Sequence, residues 1–177
     1  MSVLGSRLAD AVDAVETMRM ADRRMVAVFA SDVAGELALV AERVGYQVAV
    51  LEPDPARDCR PYRRVDDVTA AALDEHTDVV VTDHDRPELG EVLAAVLAAG
   101  PRWVGLMGSP RLAPPHVPAL RALGVDDELI ATVHRPIGLD IGSRSAAEIA
   151  ISTVAGLLAD RNGRSGGFYV SAGRAGP

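Results

Sequence analysis

Lysine is absent from this sequence of 177 residues, in which all 18 basic side chains are arginine. The absence excludes a Walker A phosphate loop, a Schiff-base lysine and a lysine general base, because each of them needs that side chain. Aromatic residues make up only 3% of the chain, and the net charge is −7. Both features argue against a nucleic-acid-binding protein, which needs stacking platforms or a basic surface.

Cysteine and long apolar runs are also scarce. Cys59 is the single cysteine, so no internal disulfide can form, and a reducing cytoplasm is the predicted compartment. No apolar stretch approaches the roughly 18 to 20 residues that a membrane span needs, and Asp10, Asp13 and Glu16 interrupt any signal-like run. Because 49% of the residues are hydrophobic, we expect one cytoplasmic domain of ordinary size.

Short apolar runs alternate with helical patterns along most of the chain. Four strands are predicted at residues 25–30, 47–52, 78–82 and 102–107, with room for a fifth after Val133, and residues 53–66 are predicted to form a loop. Helices are predicted at residues 33–44, 67–76, 88–99 and 145–159, with a proline-interrupted helical stretch ending at Gly124 and a short helix or turn at 126–133. This alternation is typical of an α/β fold with a doubly wound, mainly parallel Rossmann-like sheet.

The two ends of the chain differ from this central domain. Residues 1–24 have the apolar spacing of an amphipathic helix, with Val12, Val15 and Met18 on one face, which either packs on the core or forms a dimer or partner surface. Residues 25–160 form the predicted Rossmann domain, and residues 161–177 are predicted to be a loose tail.

The turn after the first strand lies where doubly wound sheets bind ligands. It reads Ala30-Ser31-Asp32 and lacks the first two glycines of the G-x-G-x-x-G fingerprint that holds a pyrophosphate. Ser31 and Asp32 are favoured helix-capping residues, so we expect one of them to cap the next helix rather than bind a ligand. Pyrophosphate binding of the standard kind is not expected.

Acidic residues and a histidine end the next two strands. Glu52 stands 20 positions after Asp32, where a Rossmann domain places the residue that binds the ribose hydroxyls, and an ordinary solvated strand end is the alternative. His84 lies between Asp83 and Asp85, so it either lines the cleft or acts as an acid–base group beside the two carboxylates. Asp85 is equally suited to cap the next helix. No metal site is predicted, because no second histidine or cysteine stands at ligand spacing.

Two glycine-containing loops complete the candidate site. Gly108 and Ser109 follow the fourth strand and offer N–H and hydroxyl donors to an anion, although a tight turn needs only Gly108. Gly138 and Gly142 flank Asp140, which predicts a close approach of the backbone. The other histidines, His116 and His134, are expected to be structural or exposed, and Cys59 has no partner for a catalytic thiolate.

Several of these segments together resemble the Rossmann domain of the XdhC/CoxI family, the accessory proteins of xanthine and carbon monoxide dehydrogenases. They are Thr-Asp-His-Asp at 82–85, Trp-Val-Gly-Leu-Met-Gly-Ser at 103–109, His-Arg-Pro-Ile-Gly-Leu-Asp-Ile-Gly at 134–142 and Ala-Glu-Ile-Ala at 147–150. The similarity runs from about Met25 to Arg161.

The resemblance implies a non-catalytic maturation factor for a molybdenum hydroxylase, whose apoenzyme is the expected partner. It implies binding of the molybdenum cofactor, as molybdopterin or its cytosine dinucleotide form, support of its sulfuration, and delivery to the apoenzyme. The predicted ligand site comprises Ala30, Ser31, Asp32, Glu52, His84, Gly108, Ser109, Gly138, Asp140 and Gly142.

Three departures from the family pattern keep two alternatives open. The chain is expected to be a short form without the family's cysteine-containing N-terminal domain. Its first turn, Phe-Ala-Ser-Asp-Val-Ala at 29–34, is one residue shorter than the family's Phe-Gly-Ala-Gly-His-Val-Ala, and the basic run after Ser109 is reduced to Arg111. One alternative is an oxidoreductase-like protein that binds NAD(P), a less favoured cofactor. The other is a degenerate Rossmann domain that acts only through protein contact.

Overall fold

Side chains of the first strand alternate between two separate apolar clusters. In the computed structural model, which describes residues 23–109 and 111–167, Val26 and Val28 enter one cluster, and Met25 and Ala27 enter the other. This period of two is the geometry of a β-strand. Because both clusters are buried, the strand is covered on both faces, as parallel sheets are.

The strands and helices alternate as the sequence predicts, and the fold class is confirmed. The strands are β1 (Arg24–Val28), β2 (Gln47–Leu51), β3 (Arg63–Val65), β4 (Thr77–Val81) and β5 (Trp103–Leu106). The helices are α1 (Asp32–Arg43), α2 (Val68–Ala71), α3 (Leu89–Ala99), α4 (His116–Ala122), α5 (Asp127–Ile130) and α6 (Ala146–Arg161). The strands pair in parallel in the order β3-β2-β1-β4-β5.

The strand order reverses direction at β1, which pairs with β2 on one side and with β4 on the other. Helices α1 and α6 pack together on one face of the sheet, and α2 to α5 contribute to the core on the other. Such a reversal opens a crevice beyond the carboxyl ends of the strands. The turn after β1 therefore lies at the floor of this crevice.

Two details of the sheet differ from the prediction. β3 lies within residues 53–66, which were predicted to form a loop, and pairs through Arg63 with Ala49 and through Val65 with Leu51. Only Val65 of β3 is buried, so the segment has too little apolar pattern to indicate a strand. The segment after Val133 makes only a single bridge, between His134 and Gly105, rather than a fifth predicted strand.

Predictions for the chain ends fall mostly beyond the described residues. The amphipathic helix predicted for residues 1–24 falls outside the described residues except at its last two positions, where Arg24 is instead the first residue of β1. The part of the predicted tail beyond residue 167 is likewise outside the described residues. Within them, α6 continues to Arg161. No described helix is long and apolar enough to cross a membrane.

The start of α6 carries the capping box that the sequence predicts. The Ser145 hydroxyl accepts a hydrogen bond from the Glu148 N–H, and the Glu148 carboxylate accepts one from the Ser145 N–H. Each partner satisfies a backbone donor that the first turn of a helix leaves free. This cap fixes the start of α6 next to the loop that contains Asp140.

We expect Ser145→Ala to lower the free energy of unfolding by about 1 kcal/mol, because the first turn of α6 loses its cap. Urea denaturation followed by circular dichroism measures the change. Ser165→Ala, at an exposed serine beyond α6, is the matched control and should leave the denaturation midpoint unchanged. Equal effects of the two substitutions would contradict a capping role.

Candidate functional site

The turn after β1 has an unusual backbone. Phe29 is fully buried and has φ of +72°, a left-handed conformation that costs a bulky residue roughly 1–3 kcal/mol. The Thr82 hydroxyl at the end of β4 lies 2.8 Å from the Phe29 carbonyl oxygen and 3.1 Å from that of Val28. These hydrogen bonds join the ends of the two strands and hold the turn without the glycine that such a conformation favours.

Ser31 is the residue that caps α1, as the sequence predicts for Ser31 or Asp32. Its hydroxyl accepts a hydrogen bond from the Ala34 N–H at 3.1 Å and lies 3.1 Å from the Thr82 hydroxyl. Asp32 is the first residue of α1, and its negative charge lies at the positive end of the helix dipole. The turn therefore presents a carboxylate where a dinucleotide-binding domain presents bare N–H groups.

Glu52 is completely buried, so its interpretation as a solvated strand end is wrong. Arg86, whose side chain is 6% exposed, pairs with both carboxylate oxygens of Glu52 at 2.9 and 3.0 Å. The same oxygens accept hydrogen bonds from the N–H groups of Ala30 and Asp54 at 2.8 and 2.9 Å. Burial raises the pKa of Glu52, but these hydrogen bonds outweigh it and hold the pKa below its usual value.

The Glu52–Arg86 pair connects the carboxyl ends of three strands. Glu52 follows β2, Ala30 follows β1 and Arg86 follows β4, and the Arg86 guanidinium lies 4.6 Å from the centre of the Phe29 ring. Because the four hydrogen bonds use both Glu52 oxygens, the carboxylate acts as an internal brace of the crevice floor. Arg86 was not singled out from the sequence. Its only signal in the sequence is its position directly before Pro87, which precedes α3.

An open cleft of about 830 Å³ lies above this floor, beyond the carboxyl ends of β1 and β2. Three residues of the predicted site line it, namely Ala30, Ser31 and Asp32. The other lining residues are Gly35, Glu36, Arg57, Asp58, Arg60 and Ala146.

The walls of the cleft carry both charges. Arg57 approaches the turn after β1, with Nη1 3.4 Å from the Ala30 carbonyl oxygen, and Arg60 pairs with Asp58 at 2.7 Å. Hydrogen bonds from Arg60 lower the pKa of Asp58 to about 2, so this carboxylate is ionised at neutral pH. The cleft therefore offers guanidinium donors and carboxylate acceptors side by side.

The remaining predicted residues lie outside the lining of this cleft. His84 is 3.7 Å from the carboxylate of Asp85, and Asp85 does not cap α3, which begins at Leu89 with no side-chain cap. Asp140 and Gly142 are exposed in the loop before α6. The predicted ligand-binding roles of these residues stay predictions.

The predicted close approach of backbone is confirmed at Gly138, with α6 as the neighbour, and is wrong at Gly142, where an added Cβ would have no neighbour within 4 Å. A Cβ at this position would lie 2.8 Å from the Ser152 hydroxyl, and the adjacent Leu139 N–H donates to the Ser152 carbonyl at 3.1 Å. At Gly108 a Cβ would lie 2.7 Å from Nη2 of Arg135, which also donates to the Ser109 carbonyl at 3.2 Å. At both positions the missing side chain leaves room for a neighbour that holds the loop in place, namely α6 at Gly138 and the Arg135 side chain at Gly108.

Cys59 is a free, buried cysteine. Burial raises the pKa of the Cys59 thiol, more than nearby Arg64 lowers it, so the thiol is protonated at neutral pH and a poor nucleophile. Within residues 23–109 and 111–167, no three His, Cys, Asp or Glu side chains are grouped to hold a metal ion.

Comparisons with known proteins agree with this architecture. The family model of the XdhC Rossmann domain matches residues 25–157. The uncharacterized protein YqeB of Escherichia coli K12 is 30% identical over 160 residues, which cover 83% of this chain and 29% of that protein. A crystal structure described as a xanthine dehydrogenase from Bacillus halodurans matches with a TM-score of 0.63 and 21% identity, over 86% of this chain and 45% of that one. This chain thus spans less than half of either relative.

Proposed function

We propose that this chain, which belongs to the XdhC Rossmann domain family, is an accessory factor for a molybdenum hydroxylase. The hydroxylase is of the xanthine or carbon monoxide dehydrogenase type. In this role the chain binds the molybdenum cofactor, supports its sulfuration and helps deliver it to the apoenzyme. The observation that carries the proposal is the open cleft of about 830 Å³ beyond β1 and β2, where doubly wound folds bind their ligands.

The mixed charges of the cleft suit a molecule such as molybdopterin, which has a single phosphate and a hydrogen-bonding heterocycle. Arg57 and Arg60 bind the phosphate, since guanidinium groups form charge-assisted hydrogen bonds to phosphate oxygens. Asp32 and Glu36 accept hydrogen bonds from the N–H groups of the pterin. The buried Glu52–Arg86 pair holds the floor in place beneath them.

Two observations disfavour the NAD(P)-binding alternative. The turn after β1 has Asp32 in the first turn of α1 and no glycine at which a pyrophosphate approaches the backbone. Glu52, the candidate partner of the ribose hydroxyls, already has four internal hydrogen bonds. A dinucleotide would thus lack both contacts that define its usual site.

A thermal-shift titration of the full chain against molybdopterin, its cytosine dinucleotide form, CMP, CDP, NAD and NADP tests this proposal. A ligand at a hundredfold its Kd stabilises the fold by about 2.7 kcal/mol, which is readily measured. We expect the pterin compounds to raise the Tm, and NAD and NADP to leave it unchanged. A shift with NAD or NADP would instead favour the oxidoreductase, and no shift with any compound would favour a domain that acts only through protein contact.

Paired variants test which residues form the site. The double variant Arg57→Met with Arg60→Met should raise the Kd for molybdopterin by roughly tenfold, because two phosphate contacts are lost. Arg63→Met, at an exposed position of β3, is the matched control and should not change the Kd. Ser109→Ala with Asp140→Asn tests the loops predicted from the sequence. Loss of binding in that double variant alone would move the site away from the cleft.

A further inference from the structure

A second cleft, of about 500 Å³, lies between α4, α5 and the segment that follows α5. It shares no lining residue with the first cleft. Its walls are mainly apolar and include Leu112, Val117, Ile130 and Val133. Its volume is within the range of sites that bind small molecules.

Arg135 brings an unneutralised positive charge to this cleft. Its Nη1 and Nη2 atoms donate to the carbonyl oxygens of Leu112 and Ser109 at 3.1 and 3.2 Å, and its buried Nε has no hydrogen-bond partner. Among the residues that the structure describes, no carboxylate lies within ion-pair distance of Arg135. Arg121, in the same cleft, differs because it pairs with Asp127 at 2.7 Å.

His116 also lines this cleft, and it contains a second unmet polar atom. The residue is 4% exposed, and its buried Nδ1 has no hydrogen-bond partner. Burial, and then the charge of Arg135, lower the pKa of His116, so the imidazole is neutral at pH 7. An unpaired polar group in such surroundings costs free energy that a suitable ligand recovers.

We propose that the second cleft binds a small molecule with a carboxylate on an apolar body. Arg135 provides the counter-charge, since a planar guanidinium matches a carboxylate in shape and charge, and His116 provides a hydrogen bond. The apolar walls bury the rest of the molecule, which favours such a ligand over a fully hydrophilic anion. This site goes beyond the proposed cofactor role and does not depend on it.

Benzoate and benzamide, which have the same shape but differ in charge, test the proposal on the unmodified chain by nuclear magnetic resonance. We expect saturable shifts of amide signals in α4 and α5, with a Kd for benzoate lower than that for benzamide by roughly tenfold. Inorganic phosphate should bind more weakly than benzoate. Bound benzoate should also raise the pKa of His116, because it adds a negative charge beside the imidazole.

Arg135→Gln should abolish the preference for benzoate over benzamide, whereas Arg63→Gln, at an exposed arginine of β3 outside this cleft, should retain it. Equal Kd values for benzoate and benzamide in the unmodified chain would overturn the proposal, and this result does not depend on whether the variants fold. Equal losses in the two arginine variants would also overturn it, as would phosphate binding as tightly as benzoate.

Discussion

Arg86→Met is expected to lower the free energy of unfolding at pH 7 by about 3–5 kcal/mol, the usual effect of removing one partner of a buried ion pair. The substitution leaves the Glu52 carboxylate completely buried without the counter-charge that lies 2.9 Å from it. Urea denaturation at pH 7 measures the loss. Methionine keeps much of the apolar volume against the Phe29 ring, so the effect reports mainly on charge.

The same substitution should weaken the pH dependence of stability that Glu52 contributes. In the unmodified chain the folded pKa of Glu52 is lowered, so its stabilising contribution is complete above the unfolded value of about 4.3 and is lost as the pH falls through the folded pKa. Without Arg86, Glu52 loses its counter-charge and two of its four hydrogen bonds, so its folded pKa rises above that in the unmodified chain. The stability that Glu52 contributes above the unfolded pKa, and loses as the pH falls, therefore becomes smaller.

Two controls separate this effect from a general loss of packing. Glu52→Gln combined with Arg86→Met removes both charges and should recover part of the stability at pH 7, because no buried charge remains at this site. Arg60→Met breaks an exposed pair, whose arginine side chain is 87% exposed, and should have little effect. If Arg86→Met keeps the pH profile of the unmodified chain, the brace does not control the charge state of Glu52.

The parts of this fold that follow from local pattern could be predicted from the sequence. The Ser145–Glu148 capping box depends on residues three positions apart, and the strand at 78–82 on a continuous apolar run, so neighbouring residues contain the information. Ser31 as a helix cap belongs to the same class. The resemblance to the XdhC family depends on several loop motifs in a fixed order along the chain, and local pattern does not provide that order.

The contacts that hold the candidate site depend instead on topology. Glu52 and Arg86 are 34 positions apart, and they meet only because β2 and β4 lie on either side of β1. Gly138 was expected to allow a close approach, but the sequence does not indicate that helix α6 is the neighbour. β3 was missed because it is a three-residue edge strand with one buried side chain.

Asp78→Ala should lower the free energy of unfolding by about 3–5 kcal/mol, because it leaves two arginines without a buried partner. The Asp78 carboxylate is completely buried and accepts hydrogen bonds from the Tyr46 hydroxyl at 2.8 Å, from Arg102 Nε at 2.5 Å and from Arg161 Nε at 2.8 Å. Burial, with the adjacent carboxylate, raises the pKa of Tyr46. The tyrosine therefore remains a donor to Asp78 throughout the ordinary pH range.

This cluster joins the last residue of α6 to the start of β4 and to the residue before β5, at the end of the sheet remote from the cleft. We therefore expect Asp78→Ala to lower the hydrogen-exchange protection of α6, while the remaining folded protein binds molybdopterin with an unchanged Kd. Asp160→Asn is the matched control, since Asp160 also pairs with Arg102 but is 45% exposed, and it should cost less than about 1 kcal/mol. Equal losses in the two variants would mean that surface pairing, rather than the buried carboxylate, holds α6 to the sheet.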